Sequence, residues 1–464
     1  MLKLACLTAF VAAFISPAAA ELTPRQRADV ALLIERAMTD ERAYDLVASL
    51  TTEVGPRLGG TDAEARARTW GEAKLKALGF KNVRTEPFDM PVWTRISESA
   101  SIVSPFSQPL HVTALGNSVS TATGGIEADV VRFATLTALQ QAPKTGLEGK
   151  IVFVDERMTR TQDGSGYSVA VAKRSGAANE ASKRGAAAAI IRSVGTDSHR
   201  FPHTGNMNYA EGVIPIPTAA LSNPDADILS DAIRRAKGPV RLKLDLRTQQ
   251  IEKAQSGNVV GEIPGRSNEL IVVGGHLDSW DLGTGAVDDA SGIAITVAAA
   301  KLVDELKGQP GRTIRIVMWG AEEVGIHGGK AYAERHKDDL TRHVLAAESD
   351  FGAGRVWQLR THFGAGREAY AKDLADALRP LGVGPGGAGA FGGADVGSLR
   401  AAGVPVLDLA QDGSDYFDFH HTANDTFDKI DPEALKQNVA AWAVMLYLAG
   451  EFEGGFRAVE AAAP

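Results

Sequence analysis

The sequence predicts an α/β fold in which a mixed, mostly parallel sheet lies between layers of helices. From residue 250 onward, short apolar runs alternate with stretches of helical periodicity, which is the pattern of a doubly wound sheet. The run TIRIVMWG at 313–320 is apolar along nearly its whole length, as expected for a parallel strand covered on both faces. With 464 residues, the chain is long enough for two or three domains.

The individual elements follow from the same periodicities. Near the start, 21–40 and 62–80 have helical spacing, and 81–93 alternates as a strand does. The helices of the second half are expected at 291–307 and 432–451. Five runs predict its strands: NVVGEIPG (258–265), ELIVVGGH (269–276), TIRIVMWG (313–320), HVLAAESD (343–350) and VPVLDLA (404–410).

Residues 113–249 have a different texture, with short β-rich pieces around a helix of small residues, SGAANEASKRGAAA. They predict an α+β insert, so that 21–112 and 250–464 form one discontinuous domain. The simplest role for this insert is that of a lid or spacer. The glycine-dense stretch 382–395 predicts a mobile loop at the working edge of the sheet, or a loop that merely connects.

The first twenty residues predict a secretory signal peptide. A lysine at position 3 precedes an apolar run from Leu4 to Ile15, and Ala18-Ala19-Ala20 supplies small residues for cleavage. We therefore expect an exported protein, either periplasmic or secreted. Cys6 is the only cysteine and lies within this segment, so the mature chain is expected to contain no disulfide.

Composition excludes two classes of partner. The net charge is −8 and the isoelectric point about 5.8, whereas a nucleic-acid-binding protein needs a basic face. Beyond the signal peptide, no stretch is long and apolar enough to span a bilayer, so we expect no membrane anchor.

One segment, GGHLDSWDLGTGAVDDASG at 274–292, places four aspartates close behind a histidine that ends a strand. Carboxylates this close repel one another, which indicates a cation among them. The other predicted strands also end in metal-ligating residue types, and the carboxyl ends of parallel strands meet at one rim of a sheet. The residues at these strand ends are His276, Glu322 and Glu323, Asp350, and His420 and His421.

Imidazole and carboxylate ligands are those that zinc accepts readily, and two neighbouring ions need a bridging carboxylate. His276 and Asp350 are candidates for one ion, Glu323 and His421 for the other, and Asp288 for the bridge. Glu322 is then free to act as general base, and Asp278 can orient the His276 ring. Cobalt or manganese would suit the same ligands.

Each residue also has a simpler explanation. His276 can be a hydrogen-bonded structural histidine, and Asp289 can be a helix N-cap. The acidic pair after TIRIVMWG can open a helix, and His420 and His421 can be a surface pair. His203, in FPHTG, could face the site from the insert. Taken together, however, the four segments favour a metal centre.

These residues also resemble a known family. GGHLDSWDLGTGAVDDASG, WGAEEVG, ESDFG and FHHTANDT are similar to motifs of the M28 family of co-catalytic zinc exopeptidases, especially its carboxypeptidase Q group. GPRLGGT near the start, IRSV and PHTG in the insert and GGAD at 392–395 resemble the same group. The resemblance covers nearly the whole mature chain.

The resemblance implies an aminopeptidase-like α/β/α sandwich with a protease-associated (PA) type insert. It also implies two Zn²⁺ per chain, a dipeptide or short peptide with a free terminus as substrate, and a homodimer. Glu322 is implied as base, and the HTxxDT pattern selects His421 over His420. The implied ligands are His276, Asp288, Glu323, Asp350 and His421.

One departure leaves the end preference open. The carboxypeptidase Q group tends to have glycines after the paired aspartates, whereas Ala290 and Ser291 follow here, as in the aminopeptidases of the family. Carboxypeptidase, aminopeptidase and dipeptidase activities therefore stay open, as does hydrolysis of a non-peptide amide. A binding protein on a silent peptidase scaffold is the remaining alternative, but no ligand or base is missing from this sequence.

Overall fold

The computed structural model describes residues 22–458, so the predicted signal peptide lies outside the described residues. Within this range, a single fourteen-stranded mixed sheet runs through the molecule. Its strands are β1 (Lys81–Ser104), β2 (Gln108–Leu110), β3 (Val112–Ala114), β4 (Ile126–Phe133), β5 (Ile151–Val154), β6 (Ala188–Arg192), β7 (Thr218–Leu221), β8 (Arg241–Ile263), β9 (Leu270–His276), β10 (Thr313–Trp319), β11 (His343–Glu348), β12 (Val356–His362), β13 (Gly384–Ala388) and β14 (Val406–Gln411).

Helices cover both faces of the sheet. They are α1 (Pro24–Ala37), α2 (Arg42–Glu53), α3 (Asp62–Ala77), α4 (Leu136–Gln140), α5 (Ser165–Ala170), α6 (Lys173–Ser182), α7 (Asn223–Arg235), α8 (Ser291–Asp304), α9 (His327–Arg335), α10 (Glu368–Leu378), α11 (Gly397–Ala401), α12 (Tyr416–Phe419) and α13 (Pro432–Glu451). None of the helices in this part of the chain is long and apolar enough to cross a bilayer.

The strands that carry the candidate ligands are neighbours. The strand order is β13-β12-β14-β11-β9-β10-β8-β4-β5-β6-β7-β3, and β9 pairs in parallel with both β10 and β11. β14 is parallel to β11, whereas β12 runs antiparallel to β14. The carboxyl ends of β9, β10, β11 and β14 therefore meet at the same edge, as the sequence predicts.

Two long strands join the two halves of the sheet. β1 and β8 pair antiparallel along almost their whole length, from Lys81 opposite Glu262 to Ser104 opposite Arg241. The later part of β8 pairs with β10, and its first residues pair with β4. The sequence boundaries drawn after residues 112 and 249 thus fall inside β3 and β8, and the insert shares one sheet with the rest of the molecule.

The main core lies between the sheet and the helices α1, α2, α8 and α13. α13 has the predicted bounds, and its start is fixed because Asp431 accepts backbone N–H groups from Glu433 and Ala434 and Pro432 occupies the first turn. Its buried Trp442 packs in the same cluster as α8. The insert buries two further apolar clusters, one on each face of its strands.

The expectation of a loop over 382–395 is wrong in part. Residues 384–388 form β13, which pairs in parallel with β12 at the edge of the sheet. Backbone hydrogen bonds to a neighbouring strand hold this segment, and a run of glycines gives no periodicity that would indicate them. Further along, the Gly392 carbonyl accepts the Glu348 N–H at 2.7 Å, so the stretch packs against the end of β11.

Candidate metal centre

Five side chains from four segments converge at the carboxyl ends of β9, β10, β11 and β14. His276 is the last residue of β9, Glu323 follows β10, and Asp350 follows β11. Asp288 lies between β9 and α8, and His421 lies just beyond α12. All but Asp350 are less than 10 % exposed, so the sheet and its loops bring the predicted ligands into one largely buried cluster.

His276 is placed between two carboxylates. Its Nε2 lies 2.9 Å from Asp288 Oδ1 and 3.4 Å from Asp350 Oδ1. On the other side of the ring, Nδ1 lies 3.0 Å from the backbone oxygen of Asp278. A proton on Nδ1 donates to that carbonyl and leaves Nε2 free to bind a metal.

His421 is placed in a similar way on the other side of Asp288. Its Nε2 lies 2.9 Å from Glu323 Oε2 and 3.3 Å from Asp288 Oδ2. The Nε2 of His420 approaches Asp288 Oδ2 only to 3.7 Å, and its ring stacks on that of His421 with centroids 3.5 Å apart. The geometry therefore favours His421 over His420 as a ligand, with Asp288 between the two histidine groups.

Glu322 and Asp278 lie beside this cluster. The backbone N–H of Glu322 donates to Asp278 Oδ1 at 2.9 Å, while the same oxygen lies 3.7 Å from His276 Nδ1. Asp278 thus holds the His276 ring through its backbone oxygen and positions the Glu322 segment through its carboxylate. The role expected of Asp278 from the sequence, a carboxylate contact to the ring, is taken mainly by its carbonyl.

Burial and mutual repulsion act on these groups together. Burial and the carboxylates of Asp350 and Glu323 raise the pKa of Glu322 well above its usual value. Burial likewise raises the pKa of Glu323, with a further contribution from Asp288. Burial opposes ionisation of Asp288 too, but its hydrogen bond with His276 and the neighbouring His421 and His420 rings hold its pKa well below the usual range. A divalent cation among these groups would favour their ionised forms.

The residues fit a pair of metal ions on two counts. Two groups of ligand atoms lie within 4.8 Å of one another, His276 with Asp288 and Asp350, and Asp288 with His420 and His421. Asp288 belongs to both groups, as a bridging ligand would. In addition, Asp288 Oδ2 and Glu323 Oε1 are buried without a hydrogen-bond partner, which is costly unless a cation binds them.

The segment that carries Asp288 is held from behind by Asp425. Its carboxylate accepts the backbone N–H groups of Ala286, Val287 and Asp288 at 2.8, 2.7 and 3.2 Å. Burial and the charge of Asp288 raise the pKa of Asp425 to about 7. Asp425 belongs to the FHHTANDT motif, but no local pattern of the sequence indicates this role.

Arg57, in the GPRLGGT motif, supports the neighbouring loop. Its buried guanidinium donates to the carbonyls of Leu277, Thr284 and Gly285. Asp289 does part of what a helix cap does, because its Oδ1 accepts the Gly292 N–H at 2.9 Å, although Ala290 holds the N-cap position of α8. The remaining aspartate of this segment, Asp281, lies outside the cluster, and its carboxylate pairs with the Arg95 guanidinium at 3.0 Å.

The insert forms one wall of the site. A cavity of about 360 Å³ opens onto Asp288, Glu322, Glu323 and Asp350, and the insert lines it with Tyr167, Arg174 and Asn206. These three residues were missed from the sequence, because they lie in no metal-binding motif.

His203 is fully buried but does not reach the ligand atoms. It lies between the His420 backbone oxygen, 2.6 Å from Nδ1, and Asp197 Oδ1, 2.7 Å from Nε2. Together with the Thr204 N–H, which donates to the His421 carbonyl at 3.0 Å, it ties the His420–His421 segment to the insert.

Comparison with known proteins decides the family. The sequence pattern of Peptidase family M28 matches residues 258–446, which hold all five candidate ligands. Carboxypeptidase Q of Bos taurus is 35 % identical over 414 residues, covering 89 % of this chain and 86 % of the relative. The chain belongs to peptidase family M28. Membership identifies it as a zinc-dependent peptidase.

Solved structures of M28 peptidases share the fold. The Peptidase M28 precursor from Shewanella amazonensis superposes with a TM-score of 0.91 at 46 % identity, covering 94 % of this chain and 99 % of that one. An aminopeptidase from Aneurinibacillus superposes with a TM-score of 0.60 at 22 % identity, covering 92 % and 99 %. The predicted mixed α/β sheet is thereby confirmed.

Proposed function

We propose that this M28 peptidase is a dizinc exopeptidase that hydrolyses dipeptides or short peptides with a free terminus, as a metallodipeptidase or carboxypeptidase. The observation that carries the proposal is the symmetric placement of Asp288 between His276 and His421, with a further carboxylate beside each imidazole. The similarity to carboxypeptidase Q over most of the chain supports the same substrate class.

The residues of the cluster have two proposed roles, metal binding and proton transfer. His276, Asp350, Glu323 and His421 would hold two zinc ions, with Asp288 shared between them. When bound, such ions lower the pKa of water and polarise a carbonyl oxygen. Glu322 accepts the proton of the attacking water and then gives it to the leaving amine.

We also propose the location, the domain division and the oligomeric state of the protein. The apolar segment at the start supports export, to the periplasm or the medium. Residues 113–249 are proposed as a PA-type domain that forms a wall of the site, and 21–112 with 250–464 as the peptidase domain. A homodimer is proposed from the resemblance to the carboxypeptidase Q group.

The test is hydrolysis of an unblocked dipeptide by the zinc-loaded protein, with and without a chelator, together with metal analysis. We expect chelator-sensitive cleavage and two zinc ions per chain. One ion per chain at full activity would contradict the dizinc centre. Firm binding of two ions without cleavage of any peptide would favour a non-peptide amide substrate or a binding function instead.

A further inference from the structure

Arg174 is a buried cation at the wall of the cavity, and the mechanism above does not use it. It lies in the first turn of α6, in the insert, and is only 4 % exposed. Arg174 nevertheless lines the cavity that opens onto Glu322 and Asp288. A charged group in this position must find compensation from the protein or from a ligand.

The protein supplies little of that compensation directly. Arg174 Nη1 donates to the Tyr167 hydroxyl at 2.9 Å, and Nη2 lies 3.3 Å from His421 Nδ1. Its Nε is buried without a hydrogen-bond partner. Among residues 22–458, no carboxylate forms an ion pair with the guanidinium and no backbone carbonyl accepts from it, in contrast to the buried Arg57.

The local packing keeps the guanidinium in place. The Tyr167 ring lies under it, with the charge 5.4 Å from the ring centre. Gly205 lies against the guanidinium so closely that a Cβ there would come within 2.2 Å of the Arg174 Cζ. A side chain at 205 would displace Arg174, so the glycine preserves this position.

The remaining charges of the cavity decide what Arg174 can bind. The lining residues are all described, and their acidic members are Asp288, Glu322, Glu323 and Asp350, each assigned above to the metal centre or the base. No carboxylate of this lining is left to bind the ammonium group of a peptide. Arg174 is its one permanently charged cation.

We infer that Arg174 binds the free C-terminal carboxylate of the substrate, so that the enzyme removes the last residue of a dipeptide or short peptide. The inference rests on the proposed function and specifies which terminus is recognised. An arginine fork matches a carboxylate in geometry and charge. A cavity of about 360 Å³ is at the small end of ligand sites, which suits a dipeptide.

The position of Arg174 relative to His421 suits the last peptide bond. Arg174 Nη2 lies 3.3 Å from His421 Nδ1, the ring nitrogen that faces away from Asp288 and Glu323. A carboxylate bound by this guanidinium would therefore be close to the reacting carbonyl. In the substrate, the reacting carbonyl and the terminal carboxylate lie on either side of the last residue, and one residue advances the chain by about 3.8 Å. The insert would then be part of the specificity pocket rather than a spacer.

The test compares a dipeptide with its C-terminal amide, which differs only in the charge that Arg174 would bind. We expect the wild-type enzyme to have a much higher kcat/KM for the free acid. Arg174→Gln should lower kcat/KM for the acid by at least about 30-fold, mainly through KM, and leave that for the amide and the zinc content nearly unchanged. Arg157→Gln, at an exposed arginine of the same insert, is the matched control and should behave as wild type.

Two results would overturn the inference while leaving a dizinc exopeptidase intact, although one that does not read the C-terminus. One is equal cleavage of acid and amide by the wild-type enzyme. The other is an equal loss on both substrates in Arg174→Gln at full zinc content. If the wild-type enzyme cleaves neither peptide, the proposed function itself fails.

A second variant covers the case in which Arg174→Gln does not fold. Tyr167→Phe keeps the ring that stacks on Phe417 but removes the hydroxyl that holds Arg174 Nη1. It should reduce the preference for acid over amide several-fold, and an unchanged preference would count against Arg174 as the receptor.

Discussion

Glu322 and Glu323 are neighbours in sequence, but their side chains face different partners. Glu323 Oε2 lies 2.9 Å from His421, whereas Glu322 has no ion pair with either proposed histidine ligand. We predict that Glu322→Gln retains both zinc ions and lowers turnover about 10²–10⁴-fold, because the amide cannot accept the proton. Rates measured at matched zinc content check this, and near-normal turnover would exclude Glu322 as the base.

Of the carboxylates in the described part of the chain, Asp288 alone contacts both histidine ligands. Asp288→Ala should therefore lose both ions or most of their occupancy, which metal analysis after gel filtration would measure. Asp281→Ala is the matched control from the same segment, since Asp281 pairs with Arg95 and not with the cluster. Full zinc content in Asp288→Ala would contradict the bridging role.

The sequence is informative about residues of this kind because each candidate ligand directly follows an apolar strand or belongs to a motif. Arg174 has neither signal. It lies in a helix of small residues and meets His421 across 247 positions of the chain. Only the path of the insert brings the two together, and no local pattern encodes that path.

At the level of elements, the turn that carries Asp288 depends on another segment for its shape. We predict that Asp425→Asn weakens zinc binding about 10–100-fold. Both carboxylate oxygens of Asp425 accept backbone N–H groups, and the NH₂ group that replaces one oxygen cannot accept them. Zinc titration against a competing chelator measures the effect. Asp428→Asn, an exposed neighbour, is the control, and equal affinity in both variants would show that Asp425 is dispensable.

Element boundaries could be predicted where caps mark them, as Asp431 and Pro432 mark α13. They could not be predicted where pairing partners set them. β1 was expected to end near residue 93 but continues to Ser104, because β8 pairs with it over the added length. β13 was missed for the same reason, since glycines pair through backbone groups alone.

For the whole molecule, the buried carboxylates of the site couple zinc binding to folding. At a free zinc concentration of 100 times Kd, each bound ion should stabilise the native state by about 2.7 kcal/mol. A chelator should therefore lower the melting temperature, as differential scanning calorimetry would measure. In Asp288→Ala, adding the chelator should lower the melting temperature little. If the chelator lowered it as much as in the wild-type protein, the stabilising ion would bind elsewhere.

The division into a peptidase domain and an insert stays a prediction from sequence texture, whereas the continuous sheet could not be predicted. The last residues of β8 pair with β10 in the second half of the chain, and its first residues pair with β4 of the insert. A single strand of 23 residues contributes to both halves, and sequence periodicity alone does not distinguish it from two shorter strands.

The order of these residues along the chain has a consequence for biosynthesis. His276 and Asp288 are translated well before His421, and Asp425, which holds the Asp288 turn, comes later still. No nascent chain shorter than this contains a complete centre, and α13, which packs on α8, follows even later. The proposed centre can therefore assemble only after the segment through Asp425 has left the ribosome, so hydrolysis cannot begin while the strands that carry the first ligands are still being made.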